Sequence, residues 1–148
     1  MEIDQILDSI HQLPESSKLI LKSEISEITL PKGTLILEAD KIEKNIFFIK
    51  KGIVRAYTFN NDTDLTFWFG IEGESVISLR SYAKQEKSYE SIELLEDSEL
   101  YVLNMKTLYK LFDIDINISN WGRKLVEREW LLLEERFISR QTNTAKER

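Results

Sequence analysis

The sequence predicts an α+β domain that is mainly β: a double-stranded β-helix (jelly roll) with short N-terminal helices and a long C-terminal helix. Three observations lead to this fold class. Apolar residues recur at helical spacing at both ends of the chain. The block between them, Ile28–Leu103, is rich in β-branched and aromatic residues. Turn-forming segments interrupt that block regularly, which is typical of a Greek-key sandwich or barrel.

The run Ile46–Tyr57, IFFIKKGIVRAY, predicts two strands joined by a tight turn at Lys50-Lys51-Gly52. Bulky residues on both sides of the turn have high strand propensity. Glycine adopts positive φ values at no steric cost, and the paired lysines would keep the turn in water. We therefore expect an antiparallel hairpin at this position.

The other helices follow from helical periodicity, and the other strands from β-branched and aromatic stretches between turn signals. Helices are predicted over about the first dozen residues, from Glu15 to about Ile25, over Thr107–Phe112 and from about Ile118 to Ser139. The predicted strands are Thr34–Leu37, Ile46–Ile49, Ile53–Phe59, Leu65–Phe69, Ser75–Leu79, Tyr89–Leu94 and Glu99–Leu103. The predicted turns outside the hairpin are Pro31-Lys32-Gly33, Asn60-Asn61-Asp62, Glu72-Gly73-Glu74 and Ala83–Lys87.

Length and charge limit what the chain does. At 148 residues, it is long enough for one domain that buries roughly two-thirds of its unfolded surface. With 26 acidic and 20 basic residues its net charge is -6, which repels a phosphate backbone. We expect one domain over residues 1–139, a polar tail over residues 140–148, and no direct contact with nucleic acid.

The chain has no cysteine, which excludes disulfides and thiolate metal sites and suits a reducing compartment. No apolar run approaches the roughly 20 residues that a membrane span needs. The N-terminus MEIDQILDSIH carries acids where a signal peptide would carry basic residues. We expect a cytoplasmic location and no membrane partner.

The long C-terminal helix carries two apolar faces. Two apolar faces need two partners, so we expect one face to cover the β-block and the other to form a homodimer with a second copy. The alternative is a central helix buried within one chain. Charges along the helix, including Arg128, Glu129 and Arg136, alternate in sign and predict a solvated edge. The two apolar faces are Val126, Trp130, Leu133 and Phe137, and Trp121, Leu125 and Leu132 with Ile118.

The residues do not favour an enzyme. A jelly-roll metal enzyme needs several histidines on neighbouring strands, and this chain has only His11, which lies in the first predicted helix. Acid pairs such as Glu72 with Glu74 fall in turn-like segments and are more simply solvated. We therefore predict no catalytic residue and no metal ligand.

The order of elements resembles the sensor domain of the cyclic AMP receptor protein (CRP/FNR) family. The run LPKGTLILEADKIEKNIFFIKKGIVRAY is similar to the opening strands of that family. Its features are a Pro-Lys-Gly entry, an apolar strand, a polar turn, an aromatic-rich strand and a glycine before the next strand. The resemblance extends from Leu13 to Ser139 and implies an effector-sensing, dimerising domain of a transcription regulator.

In members that bind cyclic nucleotides, a phosphate-binding cassette offers backbone N–H groups after a Gly-Glu pair. The glutamate takes the ribose hydroxyl, and an arginine some ten residues later neutralises the phosphate. In this chain Ile77 and Ser78 fall where the family has Gly-Glu, and Ser88 falls where it has arginine. The resemblance thus implies a degenerate cassette that does not hold cyclic AMP in the usual pose. The matching residues are Gly73, Glu74, Ser75, Val76, Ile77, Ser78, Leu79, Arg80, Lys87, Ser88 and Tyr89.

Other residues near the cassette have a functional and a structural interpretation. Arg80 and Lys87 are cations that would serve a different anion, or are solvated loop charges. A group of aromatic residues would line a ligand cavity, or fill the sandwich core. That group is Phe67, Trp68, Phe69, Tyr82 and Tyr89.

The chain ends with Gln141–Arg148, which resembles the start of a hinge into the helix-turn-helix domain of CRP/FNR regulators. We expect DNA to be contacted only through such a domain, with an unidentified small effector biasing the pairing of the long helices. Two alternatives stay open. One is a free-standing module that dimerises or binds without a ligand, and the other is a small jelly-roll enzyme.

Overall fold

The computed structural model describes the backbone of residues 1–60 and 63–147, and the side chains of these except residues 60, 63, 64, 67 and 140–147. The predicted turn Asn60-Asn61-Asp62 and the side chain of Phe67 therefore lie outside the described residues. In chain order the elements are α1 (Ile3–Ile10), α2 (Glu15–Ser23), β1 (Ile25–Leu30), β2 (Leu35–Leu37), β3 (Asn45–Lys51), β4 (Val54–Asn60), β5 (Thr63–Gly70), β6 (Ser75–Val76), α3 (Leu79–Lys84), β7 (Ser91–Leu94), β8 (Ser98–Asn104), α4 (Met105–Ile114) and α5 (Ile116–Glu147).

The strands form two four-stranded antiparallel sheets, in the orders β1-β8-β3-β6 and β2-β7-β4-β5. Apolar side chains from the two sheets meet in a shared core that includes Ile49, Val54 and Leu100. Two mainly antiparallel sheets packed face to face are the arrangement of a jelly roll. The predicted fold class is confirmed.

The predicted hairpin at Ile46–Tyr57 is wrong in its pairing. The two strands and the glycine turn are present, but β3 pairs with β6 and β8, whereas β4 pairs with β5 and β7. Gly52 has a φ of +145°, and a Cβ added there would lie 2.7 Å from Ser98 Cβ. The chain therefore crosses from one sheet to the other at this glycine, because both strands are buried and belong to opposite layers.

Two further segments differ from the prediction. Helix α2 ends at Ser23, and β1 starts at Ile25, where a helix was predicted; it pairs along its length with β8. The predicted strand Ser75–Leu79 ends at Val76, because Ser78 caps a new helix: its side chain accepts a hydrogen bond from the Ser81 backbone N–H. This helix, α3, also occupies part of the predicted Ala83–Lys87 turn.

The helices form a second core on the outer face of the first sheet. Trp121 of α5 is fully buried there, its ring centroid lies 6.3 Å from that of Phe48, and its Nε1 donates to the Leu7 carbonyl at 3.1 Å. An indole ring buried with its N–H satisfied is a strong anchor. Trp121 therefore holds the first part of α5 against the helical core. The helix continues to Glu147, past the predicted end at Ser139.

Candidate functional site

The segment from Gly73 to Ser78 leads the chain from β5 into α3. Gly73 has a φ of +88°, and its N–H donates to the Ile49 carbonyl at 2.8 Å. Ser75 and Val76 then pair with β3 as the edge strand β6. These backbone contacts fix where α3 begins.

Three buried serines surround the start of α3. The Ser88 hydroxyl donates to Ser78 Oγ at 2.7 Å, and the Ser78 hydroxyl donates to Ser81 Oγ at 3.1 Å. The Ser81 hydroxyl donates in turn to the Glu86 carbonyl at 2.7 Å and accepts from the Glu43 N–H at 3.0 Å. Each exposes 4% or less of its surface. The hydroxyls therefore satisfy one another and the backbone within the protein.

The two predicted cations are partly or fully exposed to solvent. Arg80 Nη2 lies 2.6 Å from Glu86 Oε2, and the guanidinium carbon lies 4.2 Å from the centre of the Tyr89 ring. Lys87 is exposed. Arg80 is therefore engaged by an acid and an aromatic face at the rim of the site.

A cavity of about 260 Å³ lies between α3 and α5. Residues of the α3 region form one wall, Trp68 of β5 contributes a second, and the outer half of α5 covers the space. The lining residues are Trp68, Ile77, Ser78, Leu79, Arg80, Ser88, Tyr89, Glu90, Glu129, Leu133 and Arg136. The volume is just below the roughly 300–1,000 Å³ of typical ligand pockets, so it fits a small molecule.

Glu129 is the most buried charged residue of the cavity wall. It exposes 6% of its surface, and its Oε1 has no hydrogen-bond partner among the described residues. Burial raises the pKa of Glu129 from 4.5 to about 7, against the charges of Arg128 and Arg136, which favour the carboxylate. The carboxyl therefore changes charge near neutral pH.

Glu90 is the second acid of the wall. Burial raises its pKa to about 7, opposed by the charge of Arg136 and by a hydrogen bond from Trp68. The Arg136 guanidinium carbon lies 4.1 Å from the centre of the Trp68 ring, and its Nη2 lies 3.6 Å from Glu74 Oε2. This arginine connects α5 to β5 and to the turn before β6.

The structure brings together only part of the predicted binding set. Ile77, Ser78, Leu79, Arg80, Ser88 and Tyr89 line the cavity, whereas Gly73, Glu74, Ser75 and Val76 form the path leading to it and Lys87 lies outside its wall. Of the aromatic group, Trp68 lines the cavity, Phe69 is exposed, and Tyr82 is buried against Tyr109.

Sequence reasoning missed Glu90, Glu129 and Arg136. The prediction of a solvated charged edge is wrong for Glu129, which is buried. A signal was present: Glu129 follows Leu125 by four residues and Trp121 by eight, and this spacing places all three on one helix face.

The apolar residues of α5 divide between the interior and the surface. Trp121 and Leu125 are fully buried in the chain's own core, Val126 packs against that core and Leu132 is half-buried. Trp130, Leu133 and Phe137 expose 69%, 46% and 64% of their surface. The apolar surface that α5 offers to another chain is therefore narrower than the two predicted faces together.

The described residues contain no candidate metal cluster and no candidate membrane-spanning helix. No group of three or more histidine, aspartate and glutamate residues has the geometry to hold a metal ion within residues 1–60 and 63–147. In the same part of the chain, no helix is long and apolar enough to cross a membrane.

The family follows from a comparison over most of the fold. The family model described as "Cyclic nucleotide-binding domain" matches residues 27–115, from β1 to the end of α4. The chain belongs to this family. This cyclic nucleotide-binding domain resembles those of CRP/FNR regulators, as the sequence predicted. No curated protein matches the chain.

Solved structures share the fold of this cyclic nucleotide-binding domain at low identity. A cyclic nucleotide-binding domain from Methylobacillus flagellatus is 18% identical with a TM-score of 0.75, covering 98% of this chain and 83% of its own. The catabolite activator protein of Thermus thermophilus is 20% identical with a TM-score of 0.71, over 90% of this chain and 63% of that one. The regulatory subunit of a cAMP-independent protein kinase A from Trypanosoma cruzi, bound to guanosine, is 14% identical with a TM-score of 0.67, over 90% and 49%. The chain thus spans about two-thirds or less of the length of two of these proteins.

Proposed function

We propose that this chain is the effector-sensing and dimerising domain of a CRP/FNR-like transcription regulator, and that its cassette does not hold a cyclic nucleotide in the family's usual pose. The observation that carries the second part is the buried cluster of Ser78, Ser81 and Ser88. Its hydroxyls are already used within the protein.

The physical reason is the charge of a cyclic phosphate. A buried anion requires a cation or several free donors to replace its hydration. Ser88 supplies a neutral hydroxyl where the family has arginine, and Arg80 is held by Glu86. Glu90 and Glu129 line the same cavity, and its second arginine, Arg136, is paired with Glu74, so a phosphate would have no dedicated partner.

An effector without phosphate fits this site better. The cavity supports a ligand in preference to a free-standing module whose interior is filled by its own side chains. The protein kinase A regulatory subunit from Trypanosoma cruzi binds guanosine, a nucleoside without phosphate, on the same fold. We infer that the effector of this chain also lacks a phosphate.

The dimer would form through the outer half of α5. Trp130, Leu133 and Phe137 are spaced by three and four residues and expose apolar surface on one side of the helix. Residues of α5 also cover the cavity, so a bound effector would contact the dimerisation helix directly. A DNA-reading domain attached beyond Arg148 would then respond to the arrangement of the two helices.

Thermal denaturation with and without cyclic nucleotide tests the proposal. A ligand at about 100 times its Kd would stabilise the fold by about 2.7 kcal/mol. We expect millimolar cyclic AMP and cyclic GMP to leave the melting temperature unchanged. A dose-dependent rise with either nucleotide would contradict the proposed function.

A further inference from the structure

The cavity contains a hydrogen-bond acceptor that the protein itself leaves unused. Glu129 exposes only 6% of its surface, and its Oε1 has no hydrogen-bond partner among the described residues. A buried acceptor without a donor is unfavourable, and a buried carboxylate is more so. A molecule in the cavity that donates to this oxygen would therefore be stabilised by it.

The two neighbouring cations have partners other than this oxygen, although Arg128 Nε is itself buried without a hydrogen-bond partner among the described residues. Arg136 stacks on Trp68 and lies 3.6 Å from Glu74. Arg128 donates through Nη2 to Ser75 Oγ at 2.7 Å. Their charges act on Glu129 at a distance, but neither supplies a hydrogen bond to its Oε1.

We propose that the cavity binds a purine nucleoside without phosphate, of the guanine type, whose base donates N–H hydrogen bonds to Glu129. This inference rests on the proposed function and names the ligand class of the same site. The Watson–Crick edge of guanine carries a ring N–H beside an amino group, two adjacent donors that one carboxylate accepts together. The same edge of adenine places an amino donor beside an acceptor nitrogen, which a carboxylate repels.

Glu90 offers a second hydrogen-bond acceptor on the cavity wall, and Trp68 contributes an apolar surface. The Ser88 hydroxyl donates its hydrogen to Ser78, but its oxygen keeps acceptor lone pairs, so a ribose hydroxyl would donate to it without requiring a counter-charge. The base and the ribose thus each have a hydrogen-bond partner on the cavity wall, whereas the two cations there, Arg80 and Arg136, are paired with Glu86 and Glu74.

Binding by this mode releases protons. Burial raises the pKa of Glu129 and of Glu90 to about 7 in the free protein. Glu74, near Glu129, favours its neutral form, whereas Arg128, Arg136 and Ser75 favour its charged form; Arg136 and Trp68 favour the charged form of Glu90. Donors from the ligand stabilise the carboxylate and lower its pKa, so the affinity increases as the pH rises from 6 to 8.

Isothermal titration of guanosine into the full chain tests this inference, with cyclic GMP as the matched ligand that adds only the cyclic phosphate. We expect guanosine to bind, with proton release detected as a dependence of the heat on the ionisation enthalpy of the buffer. Glu129→Gln should weaken guanosine binding about tenfold or more and remove most of the proton release. Glu134→Gln, an exposed position on the same helix, should leave both unchanged.

The outcomes separate the two proposals. No heat with either guanosine or cyclic GMP overturns the nucleoside inference and leaves the proposed function intact, as does equal binding by the wild type and Glu129→Gln. Tighter binding of cyclic GMP than of guanosine overturns both. Circular dichroism of each variant shows whether it is folded before titration.

Discussion

At the scale of single residues, the cassette region is defined by small neutral side chains. Ser78 caps α3, and Ser88 donates to it across ten residues of sequence. A serine pair stabilises the local fold without a counter-ion, whereas a glutamate and an arginine would each need a partner. The residues that we propose make the cassette degenerate are therefore also the ones that stabilise its local fold.

We predict that Ser78→Ala destabilises the fold by about 0.5–2 kcal/mol, because α3 loses its N-cap and Ser88 loses its acceptor. Ser88→Ala should have a smaller effect, and the double variant should be less destabilised than the sum of the two. Urea denaturation measures all three. Ser16→Ala, at an exposed serine of α2, is the control and should change stability by less than about 0.5 kcal/mol. Strict additivity would show that the two hydroxyls do not interact.

Glu129 gives the domain a pH-dependent stability. Its pKa is about 7 in the folded state and near 4.5 when unfolded, so between these values the folded state binds more protons. The free energy of unfolding therefore falls as the pH rises from 4.5 to 7. Glu129→Gln should be more stable than the wild type at pH 8, by on the order of 1–3 kcal/mol, and similar to it near pH 4.

Denaturant titrations at pH 4, 6 and 8 measure this difference, with Glu134→Gln as the exposed control. A Glu129→Gln variant that is less stable than the wild type at pH 8 would mean that Arg128 and Arg136 stabilise the carboxylate more than burial destabilises it.

At the scale of elements, periodicity identified most helices and strands but not their partners. The bulky residues of β3 and β4 predict two strands, and nothing local distinguishes a hairpin from a crossing between sheets, since both require a glycine turn. Edge strand β1 was missed because its outward residues are polar and its inward residues are spaced irregularly. The cavity was only partly predictable, because its walls come from segments that are distant in sequence. Glu129 lines the cavity because it lies on the same face of α5 as the buried Trp121.

Gly52 lies at the crossing between the sheets, in a position that does not accommodate a side chain. We predict that Gly52→Ala destabilises by more than about 2 kcal/mol, since it combines a positive φ with a clash against Ser98. Gly33 also has a positive φ of +89°, but a Cβ there meets nothing within 4 Å, so Gly33→Ala should cost only about 1 kcal/mol. Thermal melts of both variants measure the difference, and equal effects would argue against the close packing at Gly52.

The exposed face of α5 predicts the oligomeric state. Placing charge on that face should separate a dimer into monomers, because the apolar contact would bury an unpaired carboxylate. We expect the wild type to sediment as a dimer and Trp130→Glu with Phe137→Glu as a monomer of unchanged helix content. Glu135→Ala, at an exposed polar position of the same helix, is the control. A monomeric wild type at high concentration would exclude dimerisation by α5.

At the scale of the whole molecule, the cavity lies where the β-sandwich meets the helix proposed to dimerise. Its walls include Trp68 of one sheet, Ser78 before α3 and Glu129 of α5. A ligand that contacts all three would favour one position of α5 relative to the sandwich, and it would shift the equilibrium by its difference in affinity for the two positions. Arg136, which bridges α5 to Trp68 and Glu74, would stabilise the observed position of α5 without a ligand.

The most direct measurement is calorimetric titration of cyclic AMP into the wild-type domain and into a Ser78→Glu/Ser88→Arg variant. We predict no binding to the wild type at millimolar nucleotide, because the serine cluster offers no counter-charge to the phosphate. The variant supplies a carboxylate for the ribose and a permanent cation for the phosphate, and we expect it to gain affinity if it retains the wild-type fold by circular dichroism. Micromolar or tighter binding of cyclic AMP to the wild type would contradict the central claim, whatever the variant does.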